Sequence, residues 1–186
     1  MKDKLFLKLL PIKTERLIVR CTILEDVNLL LKMDKNEETQ KFLGGIKKIE
    51  YDKRIWFIQK KIDKNRQGMI GMLTVTLNST GEPIGFINLD IDHASNKAEL
   101  SYIFDFDFCN NGYCTEVCNK IIKIGFEELN LNRIYAETIA GNIGSIRVLE
   151  KIGMKKEGER REHVFVETIG EYRSFIDYGI LKREYK

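Results

Sequence analysis

Proline and histidine are scarce in this chain, two of each in 186 residues, and there is a single tryptophan. With so little proline, no internal repeat and no low-complexity tract, the sequence offers no linker at which to divide it, and one domain over residues 1–186 is expected. The only histidines are His93 and His163, and neither lies near Cys114 and Cys118, which fall one helical turn apart, so no metal site is expected. Cys21, Cys109, Cys114 and Cys118 are too few for a disulfide framework and read as reduced thiols that pack as small apolar groups. No apolar run approaches the roughly 18 residues of a membrane span. The opening MKDKLFLKLLPIK breaks its apolar residues with charges and lacks a small-residue cleavage site, so a secretory signal is not expected and a cytoplasmic location is. Charge of one sign is lacking too: 31 Lys+Arg against 28 Asp+Glu leave +3, spread along the chain, which argues against generic nucleic-acid binding.

What is present is a mixed pattern of strands and helices. Residues 16–21 (RLIVRC) read as a strand and 25–35 as a helix, with Val27, Leu30, Leu31 and Asp34 at helical spacing. A second helix is expected over 51–65, where Ile55, Ile58 and Ile62 align. Strands follow over 69–77, 84–92 and 97–104, the first two separated by the turn signal NSTGEP. Residues 115–129 place Val117, Cys118, Ile121, Ile122, Phe126 and Leu129 on one side of a helix. A strand over 133–140, a short helix over 144–152 and closing strands over 162–167 and 172–182 complete the pattern. Hairpins followed by a strand, helix, strand crossover give an α/β (α+β) domain, a mixed sheet with helices on its faces.

Two stretches stand out against this frame. Cys109 to Val117 (CNNGYCTEV) sets a polar turn with one glycine in front of a helix. Free backbone N–H groups there point along the positive end of the helix dipole and suit an anion such as a phosphate. The turn lacks the further glycines of GxGxxG and the Lys-Ser/Thr pair of a P-loop, so main-chain donors would make most of the contacts. Downstream, Asn142 stands at an N-cap position with Ser145 in the first helical turn, a pairing that helix capping alone would also explain.

In this order the chain resembles the GNAT superfamily of acyl-CoA-dependent N-acetyltransferases, most closely its branch of ribosomal-protein N-terminal (Rim-type) enzymes. The resemblance runs through Thr14 to Arg20 with Glu25 and Asp26, then Ile84 to Ile87, Ala98 to Tyr102, Asn110 to Glu116, Asn142 to Met154, and Gly170 to Arg173. It implies a mostly antiparallel central sheet with helices on both faces and a splayed central strand pair that admits the pantetheine arm of acetyl-CoA. Asn110, Asn111, Gly112, Tyr113, Cys114 and Thr115 would then hold the diphosphate, the main chain of Tyr102, Ile103 and Phe104 the thioester end, and Asn142 and Ser145 the pantetheine. The sequence departs from the family where a basic residue usually precedes the glycine, a position occupied here by Asn111, and where Cys114 replaces a glycine or alanine.

The family's reaction needs a neutral amine, a stabilised oxyanion and an acceptable leaving thiolate. An α-amine with a pKa of about 8 asks less of a base than a lysine amine at about 10.4. Glu99 is the candidate base, on the opposite strand face from Leu100, Tyr102 and Phe104. An ordinary exposed strand glutamate is the alternative reading, and Glu137 is the second candidate. The tyrosine acid of many members is replaced by Leu149, which leaves Ser145 as the candidate acid. Trp56, Phe57 and residues Phe42 to Gly45 fall where the family shapes its acceptor groove, with Glu37, Glu38, Glu50 and Asp52 nearby. His93 and the pairs Lys47-Lys48, Lys155-Lys156 and Arg160-Arg161 read as solvated surface. The resemblance thus implies acetyl transfer to a primary amine with acetyl-CoA as co-substrate and no metal, by a monomer or homodimer. A protein N-terminus is favoured as acceptor over a small amine such as a polyamine, amino acid or antibiotic, and a non-catalytic acyl-CoA sensor is the alternative from another class.

Overall fold

A computed structural model of the chain describes residues 1–43, 50–167 and 169–185; Gly44, Gly45, Lys47 and Lys48 lie outside them. One eight-stranded sheet runs in the order β1 (Ile12–Lys13), β2 (Leu17–Cys21), β3 (Leu73–Leu77), β4 (Pro83–Asp92), β5 (Lys97–Phe104), β6 (Arg133–Ile139), β8 (Glu171–Leu181), β7 (Lys155–Val166). Every neighbouring pair is antiparallel except β5 and β6 in the middle. The helices are α1 (Lys2–Lys8), α2 (Val27–Lys35), α3 (Glu37–Gln40), α4 (Tyr51–Arg66), α5 (Tyr113–Glu127) and α6 (Ile143–Lys151).

The two faces of the sheet bury different cores. On one, Val117, Cys118, Ile121, Ile122 and Phe126 of α5 recur at helical spacing and pack with Leu100 and Phe104 of β5 and Leu149 of α6. Each large apolar side chain buried this way contributes about 1.5–3 kcal/mol. The close approach of α5 to β6 depends on Gly125, where an added Cβ would stand 2.7 Å from Cδ1 of Ile134. On the other face, Phe86 of β4 packs with Val27, Leu30 and Met33 of α2 and Ile58 of α4, and Phe57 joins from the edge while Trp56 stays exposed.

Several elements depart from the sequence expectation, among them β1 and α3, which were not expected. The opening residues form α1, a helix whose single buried side chain is Phe6. β3 starts at Leu73, not at residue 69, and α5 starts at Tyr113, not 115. β7 starts at Lys155, seven residues before the expected Glu162, because its polar first half pairs with β8 through Lys155↔Gly179 and Arg160↔Phe175.

The feature that positions the site is the divergence of β5 from β6. Their pairing consists of Lys97↔Arg133, Ala98↔Ile134 and Glu99↔Tyr135, after which β5 continues to Phe104 and β6 to Ile139 without pairing to each other. β4 keeps its ladder with β5 all the way to Gly85↔Phe104. The edge of β5 that faces β6 therefore carries free main-chain donors and acceptors from Leu100 onward, in the splay the resemblance implies.

Candidate active site

Asp105 follows β5 directly, is fully buried, and accepts from the backbone N–H of Asp107 to start a short 3-10 turn over Phe106–Phe108. Its carboxylate also meets Lys32 Nζ at 2.6 Å, which ties α2 to the end of the strand. The chain then reverses through two left-handed residues, Asn110 (φ 63°) and Gly112 (φ 77°), and enters α5. Asn111 fixes the reversal by donating its side-chain amide to the carbonyls of Phe108 and Cys109 at 3.3 and 3.0 Å. Among the described residues, none of the backbone N–H groups from Asn110 to Thr115 has an acceptor within the chain, whereas those on either side, Cys109 and Glu116, are bonded to Phe106 and Gly112. Six successive amides at the start of a fifteen-residue helix are thus available to an anion.

The basic group absent from the turn's own sequence arrives from elsewhere. Arg16, just before β2, donates to the carbonyl of Asn111 at 3.0 Å, lies over the Tyr113 ring at 4.6 Å from its centroid, and pairs with Glu116 at 2.7 Å. Glu116 also accepts from Thr14 Oγ1 at 2.6 Å and from the Arg16 N–H at 2.9 Å. Burial works against its charge, yet these bonds outweigh burial and hold its carboxyl below the usual range. A local reading of the turn could not find Arg16, which lies about a hundred residues earlier in the chain, just before β2. Its one sequence signal was Thr14-Glu15-Arg16 in the resemblance.

Glu99 closes the paired part of β5 and β6. It is half-buried, and burial first, then the like charges of Glu137 and Asp90, push its pKa up, with Arg160 opposing. Glu137 is exposed on β6, two residues beyond Tyr135, so the two candidate bases share one face of the sheet. Arg160, partly exposed, bonds both Glu137 and Asp177 and so joins this network. Lys155, Lys156 and His93 are exposed, as expected, and pair at the surface with Glu184, Glu159 and Asp3.

On the opposite face Tyr102 reaches across the gap, and its hydroxyl lies 3.0 Å from Ser145 Oγ at the start of α6. Burial, with Cys114 and Cys118 next to it, pushes the phenol pKa far up, so it stays neutral and can donate. Asn142 accepts the Ser145 N–H at 3.2 Å, so its side-chain oxygen caps the helix. Leu149 is fully buried in the core and leaves no acid at its position. The Cys114 and Cys118 thiols lie 3.9 Å apart, and burial first, then its neighbour, pushes the Cys114 pKa well up, so it remains a packed thiol. Cys118 is buried as expected of a small apolar group, while Cys109 is exposed. Among the described residues no cluster of His, Cys, Asp and Glu could hold a metal ion, and no helix is long and apolar enough to cross a membrane.

The predicted residues thus fall around the splay in two groups. Tyr102, Cys114 and Ser145 meet on the α5 and α6 side, and Glu99 lies on the other. Of the remaining candidates, Ile103 packs toward α2 and α4, and Phe104 pairs with Gly85, so any role at the gap falls to their main chain.

The sequence matches the family model for an acetyltransferase (GNAT) domain over residues 16–155. It is 30% identical to the uncharacterized N-acetyltransferase p20 of Bacillus licheniformis over 92% of this chain and 96% of that protein. It is 36% identical to the putative ribosomal N-acetyltransferase YdaF of Bacillus subtilis over 57% of each chain, and 29% identical to the spermidine N(1)-acetyltransferase of Escherichia coli over 56% of each. A GNAT acetyltransferase structure from Bacillus anthracis superposes with a TM-score of 0.80 at 26% identity, covering 93% of this chain and 99% of that one. The chain belongs to the GNAT family of N-acetyltransferases, enzymes whose acetyl donor is acetyl-CoA.

Proposed function

We propose that the protein transfers the acetyl group of acetyl-CoA to the α-amino group of a polypeptide N-terminus by direct attack of the amine. The observation that carries this reading is the row of unpaired amides from Asn110 to Thr115 at the mouth of the gap between β5 and β6. In it, those amides and Arg16 hold the diphosphate, and the free edge of β5 beyond Glu99 aligns the pantetheine arm by strand-like hydrogen bonds. When bound, acetyl-CoA supplies a thioester carbonyl. Main-chain N–H groups of β5 between Tyr102 and Phe104 face the charge that develops on its oxygen. Glu99, its pKa raised by burial, removes a proton from the amine directly or through one water. The Ser145 hydroxyl, held by Tyr102, faces the leaving sulfur. A thiol with a pKa near 8.5 departs with little help, so Ser145 is asked for less than Glu99.

An α-amine fits a site with one modest base better than a lysine amine does. The spermidine acetyltransferase among the relatives supports a second reading, a small polyamine acceptor. The test is release of free thiol from acetyl-CoA in the presence of peptides or spermidine, preceded by a thermal shift with CoA. Peptide turnover is expected. Stabilisation by CoA with no turnover on any amine would instead make the protein an acyl-CoA sensor.

A further inference from the structure

We infer that the acceptor's first residue carries a large apolar side chain, which seats in a pocket at the far end of β6. The inference rests on the reading that the acceptor is a polypeptide N-terminus. The pocket is an open recess of about 410 Å³ whose walls include Phe42 and Leu43 after α3, Ile139 at the end of β6, Val164 and Val166 of β7, and Phe175 of β8. That volume lies within the roughly 300–1,000 Å³ of sites that hold small ligands and is ample for one leucine or phenylalanine side chain.

Its position ties it to the reaction. Ile139 lies on the same face of β6 as Tyr135 and Glu137, and Tyr135 is opposite Glu99 in the parallel ladder, so pocket and candidate base share one side of the sheet. Immediately after Ile139 the chain turns through Gly141, where an added Cβ would stand 3.9 Å from the Phe42 ring, to Asn142 and Ser145. The pocket therefore opens at the end of the strand that forms one wall of the thioester gap.

Its chemistry selects the occupant. Among the described lining residues Glu167 is the single carboxylate, too few for a multiply charged acceptor. A polyamine brings about three charges at neutral pH, since alkylamines have pKa values near 10, and seating them in a lining that is apolar but for Glu167 would leave most of them without a partner. The wall is also partly uncovered: Leu43 is 46% exposed, so an apolar side chain entering the pocket removes both its own surface and the wall's from water.

The experiment compares peptides of one sequence that differ only at the first residue, Leu, Phe, Ala or Ser, with spermidine as a further acceptor, by thiol release from acetyl-CoA. The kcat/KM for Leu and Phe is expected to exceed that for Ser and Ala by roughly tenfold to a hundredfold, the range that a few buried carbons supply in a hydrophobic pocket. Leu43→Asp, at a half-exposed position where folding is not at risk, is expected to narrow the Leu to Ser ratio about tenfold, chiefly through KM. Phe175→Ala, read by the same ratio, checks the opposite wall. Equal rates on all four peptides would overturn the inference and leave N-terminal acetylation standing. Turnover of spermidine with none of any peptide would overturn both, as would CoA binding without turnover of any acceptor.

Discussion

Replacing Glu99 by Gln removes the candidate base while keeping the side chain's shape, and the structure sets the size and the pH dependence of the effect. Burial raises the Glu99 pKa, and Glu137 and Asp90 raise it further. Raised affinity for a proton makes the carboxylate a better base but also narrows the pH range over which it is ionised. The acceptor decides how much the base is needed. At pH 7.5 an α-amine with a pKa of about 8 is already about one quarter neutral, whereas a lysine amine at about 10.4 is about 0.1% neutral. Glu99→Gln is therefore expected to lower kcat/KM by roughly 10²-fold for an N-terminal amine, the low end of the general-base range, and by more for a lysine acceptor. The pH profile separates this from a structural loss. In the wild type the rate falls at acid pH as Glu99 takes up its proton, at a pH above the ordinary carboxylate range. The variant lacks that limb and climbs with the titration of the amine alone, so the gap between the two proteins narrows by about fourfold between pH 7.5 and pH 9. Thiol release from acetyl-CoA across pH 5–9 reads both features. Full activity of Glu99→Gln at every pH would refute the assignment, and the same loss on Glu137→Gln alone would transfer it to the second candidate.

Further predictions follow from contacts around the site. Arg16→Ala removes the cation beside the turn and is expected to raise KM for acetyl-CoA several-fold with little change in kcat, and to weaken the dependence of KM on salt; an unchanged KM at both 50 and 500 mM salt would exclude a role for Arg16 in diphosphate binding. Tyr102→Phe and Ser145→Ala are each expected to lower kcat by about tenfold and to be non-additive, because one hydroxyl orients the other; full additivity in the double variant would show independent roles. Asp26 is buried and bonded bidentately by Arg20 at 2.8 Å, with Ile23 N–H and Thr74 Oγ1 at 2.9 and 2.7 Å, and these bonds outweigh the effect of burial to hold its pKa below the ordinary value. Because the folded pKa is the lower one, the stability it confers is fully present above about pH 4 and is lost as pH falls below that. Asp26→Asn is expected to cost about 3 kcal/mol, or roughly 6 to 12 °C in Tm at pH 7, with the difference from wild type shrinking below pH 4; a constant difference by calorimetry between pH 3 and 7 would disprove the electrostatic origin.

How far these features were legible in the sequence depends on what encodes them. Strands β4, β5 and β6 and helices α4 and α5 were read to within one or two residues, because their apolar residues recur at the period of the element. α1 was missed because Phe6 alone anchors it in the core, and one buried side chain carries no period. The first half of β7 (KKEGER) was missed for the opposite reason. It is mostly exposed and polar, and it is held as a strand by its ladder to β8 and by Arg133 pairing with Glu157, neither of which shows in local pattern. In the site, the cap formed by Asn142 and the free amides of the turn follow from local sequence. Arg16 over Tyr113 and Tyr102 on Ser145 join residues far apart in the chain, so only the fold reveals them.

The proposed acetyl transfer rests on the amides from Asn110 to Thr115 gripping a diphosphate at the open end of the β5 and β6 gap. A crystal structure of the protein with CoA tests this most directly. Diphosphate oxygens are expected within about 3.2 Å of several of those N–H groups, with the pantetheine running along the free edge of β5. A diphosphate bound elsewhere, or the six amides turned onto acceptors of the chain itself, would contradict it.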